Sequence, residues 1–136
     1  FYPINAKFTV LATVELTPNE AYFEMQTSTD RLPLYRKFAK LTFQIQKQTY
    51  SLFAYQNKEY KDYVFVPFTD LTSGETSYGG GRYIDVSISE QDKQIVLDFN
   101  KAYNPYCAYN HNYSCPIPPK ENFVNYEIKA GVKKFH

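Results

Sequence analysis

A chain of 136 residues with 15 Lys and Arg against 14 Asp and Glu is long enough for one domain with its own apolar core and needs no second. A formal net charge of +1 leaves no basic field for nucleic acid or an anionic membrane surface, and 18% aromatic with 21% charged residues is not the composition of a disordered chain. No apolar run reaches the roughly 18–20 residues of a bilayer span, and Phe1-Tyr2-Pro3 opens without a basic or apolar leader region.

Period-two alternation is the dominant pattern. Residues 7–15 place Phe8, Val10, Ala12 and Val14 on one face and Lys7, Thr9, Thr13 and Glu15 on the other, which predicts a half-buried strand. Thr17-Pro18-Asn19 suits a reversal, and a second strand is expected over 21–27. Alternation resumes with Leu41, Phe43 and Ile45, then Tyr50, Leu52 and Ala54, around a hairpin at 46–48 that lacks an Asn-Gly or Asp-Gly signal. Residues 63–68 are apolar on both faces, as in a central strand, and Pro67 should end its ladder or sit at an edge. Residues 83–88 and 95–99 form a second hairpin candidate, and a last strand is expected over 124–130. Seven or eight strands and no helical stripe predict an all-β domain. Its form is an antiparallel β-sandwich or a small β-barrel with a long irregular Cys-, Tyr-, Asn- and Pro-rich loop at 100–119.

Two segments break the alternation, at 70–83 and at 98–116. Gly79, Gly80 and Gly81 are read as loop-geometry residues, giving positive φ or close backbone approach. No Gly-Lys-Ser/Thr follows them, so a phosphate loop is excluded and no cofactor is expected. Arg82 either pairs with a carboxylate such as Asp85 or Asp98 or contacts an anion. Asp98 and Asn100 share a strand face and either bond the loop that follows or line a pocket. Tyr103, Tyr106, Tyr109 and Tyr113 either present rigid contact surface for sugar or protein or plug the open end of the sheet. Cys107 and Cys115, if bridged, close a loop worth roughly 2.6 kcal/mol by chain entropy and imply an oxidising compartment. The competing readings are free thiols, a Cys107–His111 nucleophilic pair, or a metal held by Cys107, His111 and Cys115. The metal set needs a helix that Asn104-Pro105, Asn110, Asn112 and Pro116 oppose.

Tyr78-Gly79-Gly80-Gly81-Arg82-Tyr83, Asp98-Phe99-Asn100, Ala102-Tyr103-Asn104-Pro105, Cys107-Ala108-Tyr109, Cys115-Pro116, Pro118-Pro119, Glu121-Asn122 and Ala130-Gly131 stand in the word order of a family. The sequence thereby resembles a bacterial family known only as domain of unknown function 1684, over essentially the whole chain and with weaker matching before residue 60. A Thr-Ser pair like Thr27-Ser28 also fits, whereas Thr76 and Phe123-Val124-Asn125 depart from the family pattern. The resemblance implies an exported or lipid-anchored envelope protein, in the periplasm or on the cell surface. It also implies that residues 1–136 are a single β domain at the C-terminal end of a longer product. No established reaction comes with it, so no catalytic residue is carried across.

Two functions follow as expectations. The first is a non-enzymatic extracytoplasmic domain that binds other envelope proteins, a larger complex, a small ligand or a glycan through the loop at 100–119. The alternative is a hydrolase or other small-ligand enzyme with a pocket of Arg82, Asp98, Asn100, Tyr103 and His111, the histidine titrating near neutrality as acid or base. The two are separated by whether those side chains converge.

Overall fold

The computed structural model describes residues 1–110 and 112–134. The alternating segments become β1 (Thr9–Leu16), β2 (Phe23–Glu24), β3 (Leu34–Ile45), β4 (Gln48–Asn57), β5 (Val64–Asp70), β6 (Arg82–Asp85), β7 (Gln94–Asp98) and β8 (Phe123–Val124). They form one sheet in the order β6-β5-β4-β3-β1-β7, with β2 added to β3 and β8 lying parallel to β5; every other pairing is antiparallel. The sheet curls into a half-barrel, a single curved antiparallel sheet in which β6 and β7 do not pair to close it.

Its inner face holds the main core, including Phe8, Ala12, Leu41, Phe43, Leu52, Val66, Phe68, Leu97 and Phe99. A smaller cluster of Met25, Tyr35, Tyr55, Phe65 and Tyr83 lies on the outer face. Each fully buried Leu or Phe contributes about 1.5–3 kcal/mol relative to exposure. Two core clusters on opposite faces explain why β5 reads as apolar on both sides: Val64, Val66 and Phe68 face inward while Phe65 faces out.

The β3–β4 hairpin turns in two residues, with Gln46 at φ 48° and Lys47 at φ 69°. Two consecutive left-handed residues define a type I′ turn, whose twist matches the flanking strands, and here it forms without the usual Asn or Gly. The strand β3 begins well before the predicted residue 41 because a bulge interrupts its pattern. Lys37 pairs with Tyr55 and Ala39 with Ala54, leaving Phe38 as the extra residue. That single insertion moves the odd-numbered side chains from the outer cluster (Tyr35) to the inner core (Ala39, Leu41), so alternation cannot be followed through it.

Pro67 acts on one side of its strand only. The ladder from β5 to β4 ends at Phe65, whereas the ladder to β6 continues through Pro67 and Phe68. In the gap stands the side chain of Asn122, fully buried, which accepts from Phe53 N–H at 2.8 Å and donates to Phe53 O at 2.9 Å and Pro67 O at 2.7 Å. One amide thus replaces the ladder bonds that proline cannot make.

Three sequence expectations are corrected. Residues 83–88 and 95–99 do not make a hairpin: β6 pairs with β5 and β7 with β1, at opposite ends of the sheet order, because β1 captures β7 over five register pairs. The strand expected over 21–27 shrinks to β2: Met25 N–H still bonds Pro33 O in the β2–β3 register, but Pro33 has no N–H to extend the ladder. The strand expected over 124–130 is only β8. Val124, Ile128 and Ala130 are buried as the alternation requires, but beyond Val124 the backbone bonds scattered loop groups and, at Ile128, Ala130 and Val132, the side chains of Asp70 and Arg82 instead of a neighbouring strand.

Candidate binding cleft

The short strand β6 sends consecutive side chains to opposite faces, Arg82 and Ile84 inward, Tyr83 and Asp85 outward. Inside, Arg82 is 1% exposed. Its guanidinium donates to the carbonyls of Ile128 at 3.0 Å, Ala130, and Val132 at 3.1 Å, and it pairs with Asp70 at 3.5 Å. Carbonyls two residues apart in an extended segment face the same way, which is how one planar fork collects three of them. Asp70 in turn accepts from Ile128 N–H at 2.6 Å and from Thr72 Oγ1 at 2.9 Å, and Thr72 bonds Ser77 at 2.8 Å. Burial pushes the Arg82 guanidinium below its ordinary value, with the Asp70 carboxylate opposing. The partner of Arg82 is therefore Asp70, not Asp85 or Asp98, and the arginine is committed to holding the segment 128–132.

Asp98 and Asn100 are also placed by structure. Asp98 caps the 3-10 turn Phe99–Lys101, accepting from Asn100 N–H at 3.0 Å, Asn100 Nδ2 at 2.9 Å and Thr9 Oγ1 at 3.1 Å. Asn100 exchanges two bonds with the backbone of Asn5. Arg82, Asp98 and Asn100 do not converge with Tyr103, and His111 lies outside the described residues. Of the three glycines only Gly81 has positive φ, at 93°, where a Cβ would come within 2.7 Å of Phe68 O. Gly80 lies under the Tyr78 ring, and Gly79 meets nothing closer than 3.6 Å.

The loop at 100–119 packs on the outer face beside β6. Tyr83 and Tyr103 exchange both backbone bonds at 2.9 Å, continuing the sheet edge by one rung. Cys107 and Cys115 form a disulfide, which removes both sulfurs as thiolate ligands or nucleophile and corrects the metal and free-thiol readings. The loop is tied down by residues 26–29: Ser28 N–H donates to Cys115 O, Cys115 N–H to Ser28 Oγ, Thr29 Oγ1 bonds Ser114 Oγ at 2.6 Å, and Ile117 N–H donates to Gln26 O. The Thr-Ser pair noticed in the sequence is thus the dock for the clamped loop.

Between this loop and β6 lies a pocket of about 380 Å³. Tyr63, Tyr83, Tyr103 and Tyr106 line it, with Asp85 on its strand side and Pro116 on its loop side. The Tyr103 hydroxyl donates to Asp85 Oδ1 at 2.6 Å and lies 3.4 Å from the Tyr63 hydroxyl, and the Tyr83 hydroxyl donates to Pro116 O at 2.5 Å. Burial raises the phenols of Tyr63, Tyr83 and Tyr103 well above the ordinary range, and for Tyr103 the bond to Asp85 raises it further. Tyr106, 70% exposed, stacks against Tyr113, while Tyr109, 51% exposed, accepts from Asn104 Nδ2 at 3.1 Å. Of the residues singled out from sequence, Tyr103, Tyr106 and Cys115 reach this cleft. Tyr63, Tyr83 and Asp85 were not recognised as its walls, although Tyr83 and Asp85 share the face opposite the Ile84-Val86-Ile88 stripe.

Comparison with known proteins agrees with the resemblance read from the motifs. No curated protein matches the sequence. The fold is similar to the solution NMR structure of an uncharacterized protein from Haloarcula marismortui, with a TM-score of 0.79 and 35% sequence identity, over 98% of this chain and 74% of that one. A family model described as a protein of unknown function, DUF1684, matches residues 1–133, and the chain belongs to that family.

Proposed function

We propose that this domain is a non-catalytic binding module of the cell envelope and that the tyrosine-lined cleft beside β6 is its contact surface. The observation that carries the reading is the construction of the cleft: aromatic walls on a strand edge and on a loop that a disulfide and residues 27–29 hold in place. A fixed aromatic surface binds with little ordering entropy. Its exposed rim of Tyr106, Tyr109 and Tyr113 offers amphipathic area to a ligand or a larger partner. The disulfide supports an oxidising, extracytoplasmic location, periplasmic or surface-exposed, where such bridges persist.

The test is an NMR screen of the isotope-labelled domain against short saccharides and small metabolites, paired with capture from an envelope fraction by wild type and by Tyr106→Ala. The expected result is saturable shifts at residues 83–85 and 103–116, or a captured component lost with the variant. No compound moving those residues, together with identical capture by both proteins, sinks the proposal.

A further inference from the structure

Resting on that binding reading, we infer that the cleft takes an organic cation, an ammonium or quaternary ammonium group seated against the tyrosine rings with Asp85 as its counter-charge. The first argument is sign. Among the described residues that line the cleft, Asp85 is the only charged one, and it is exposed. A carboxylate or phosphate ligand would meet a like charge and find no lysine or arginine, whereas a cation finds complementary potential.

The second argument is what the rings already hold. Elsewhere the protein caps its own aromatic faces with its own cations: Lys37 lies 4.2 Å from the Phe53 ring centre, Lys133 5.1 Å from Tyr2, Arg36 5.3 Å from Phe38. Among the described residues, no such contact involves Tyr63, Tyr83, Tyr103 or Tyr106. These rings line one pocket, but Tyr83 is buried, meeting Phe65 and Tyr103 edge to face, and Tyr63 stacks on Phe65, so the ring area open to a ligand is chiefly that of Tyr103, 36% exposed, and Tyr106, 70% exposed. Open tyrosine rings beside a carboxylate are a setting that holds an ammonium group, the rings offering electron density and the carboxylate its counter-charge.

The third argument is an unfilled acceptor. Asn104, 6% exposed, lines the cleft, and its amide is oriented by donation to Lys133 O and Tyr109 Oη. Its Oδ1 has no partner among the described residues. Buried acceptors are rarely left unpaired, and a ligand N–H or O–H would complete this one. A space of about 380 Å³ suits one small headgroup-sized molecule.

The experiment is an NMR titration of the intact domain with choline and with its neutral carbon isostere, dimethylbutanol, on wild type and Asp85→Asn. Choline is expected to shift residues 63, 83–85 and 103 saturably, with the isostere at least about tenfold weaker and Asp85→Asn weakening choline about tenfold. Asp85 is exposed, so the variant retains the fold, and its unchanged spectrum elsewhere confirms that. If the isostere or a neutral saccharide moves these residues as strongly as choline, the cleft binds but the cation assignment is overturned. If choline moves nothing while the wider screen finds a ligand, the assignment falls and the binding reading stands. If nothing in either screen binds, both fall.

Discussion

Residues 82 and 83 are neighbours on one strand, yet they serve two regions built on opposite terms. On the inner side, Arg82 and Asp70 are sealed from water, and apart from Arg82 Nε their polar atoms are spent on each other, on Thr72 and Ser73 and on the backbone of residues 128–132. On the outer side, Tyr83 is packed against Phe65 and Tyr103, but Asp85, Tyr103 and Tyr106 border an open pocket, where the Asp85 charge and the exposed part of the two tyrosine rings remain available. Polar side chains in this fold are therefore not evidence of a site in themselves. What separates scaffold from surface is whether their hydrogen-bonding capacity is already consumed by main chain.

The comparison is broken most severely from the inside. Arg82→Met removes the guanidinium, leaves three carbonyls and the Asp70 carboxylate buried, and should destabilise by about 3–5 kcal/mol in denaturant unfolding; a loss under about 1 kcal/mol would mean that residues 128–132 are held by packing alone. Asn122→Ala leaves Phe53 and Pro67 backbone groups unpaired, with an expected loss of about 2–3 kcal/mol by the same measurement. Reduction of the Cys107–Cys115 bridge should remove roughly 2.6 kcal/mol and broaden resonances of residues 103–117, while the residues around Arg82 remain sharp.

Alkaline pH sharpens the contrast at smaller amplitude. The phenols of Tyr63, Tyr83 and Tyr103 are raised in the folded protein, so the unfolded chain loses their protons first, near pH 10. Their contribution is fully present below that pH and is lost progressively above it, because the unfolded state then binds fewer protons. Phenolate absorbance should accordingly show a group of tyrosines that ionise only as the protein unfolds; all tyrosines titrating together in the native state would contradict the burial of the cleft. Smallest of all, Asp85→Asn should change stability by no more than about 0.5 kcal/mol, since the amide oxygen still accepts from Tyr103. That near-silence, set beside the collapse expected at Arg82, is the sharpest statement of the difference between the two faces.

The sequence made the all-β class and most of the long strands legible, because one-sided burial writes itself as alternation. It was illegible where a side chain took over from a strand. Arg82 and Asn122 do the work of β-ladders for residues 128–132 and around Pro67, and nothing in the spacing of either residue announces which carbonyls it will find. The Phe38 bulge hid the first half of β3 by exchanging its faces, and the Gln46-Lys47 turn formed without a turn-specific residue. The loop residues Tyr103 and Tyr106 could be singled out by composition. Their companions Tyr63 and Tyr83 sat in segments that read as ordinary strand, so the cleft became visible only when the fold brought loop and strand edge together.

The hold of Arg82 on Ile128 spans 46 residues, and that separation has a meaning during synthesis. At roughly 5–20 residues per second, the arginine leaves the ribosome about 2 to 9 s before the carbonyls that will surround it. Until then a charge destined for the interior has no partners beyond Asp70, and the mouth of the half-barrel must stay wet. The six-strand sheet can be laid down in that interval, but it cannot close over dry. A nascent chain arrested before residue 128 should therefore be protease-sensitive even with every long strand already made, and emergence of residues 128–132 should convert it in one step.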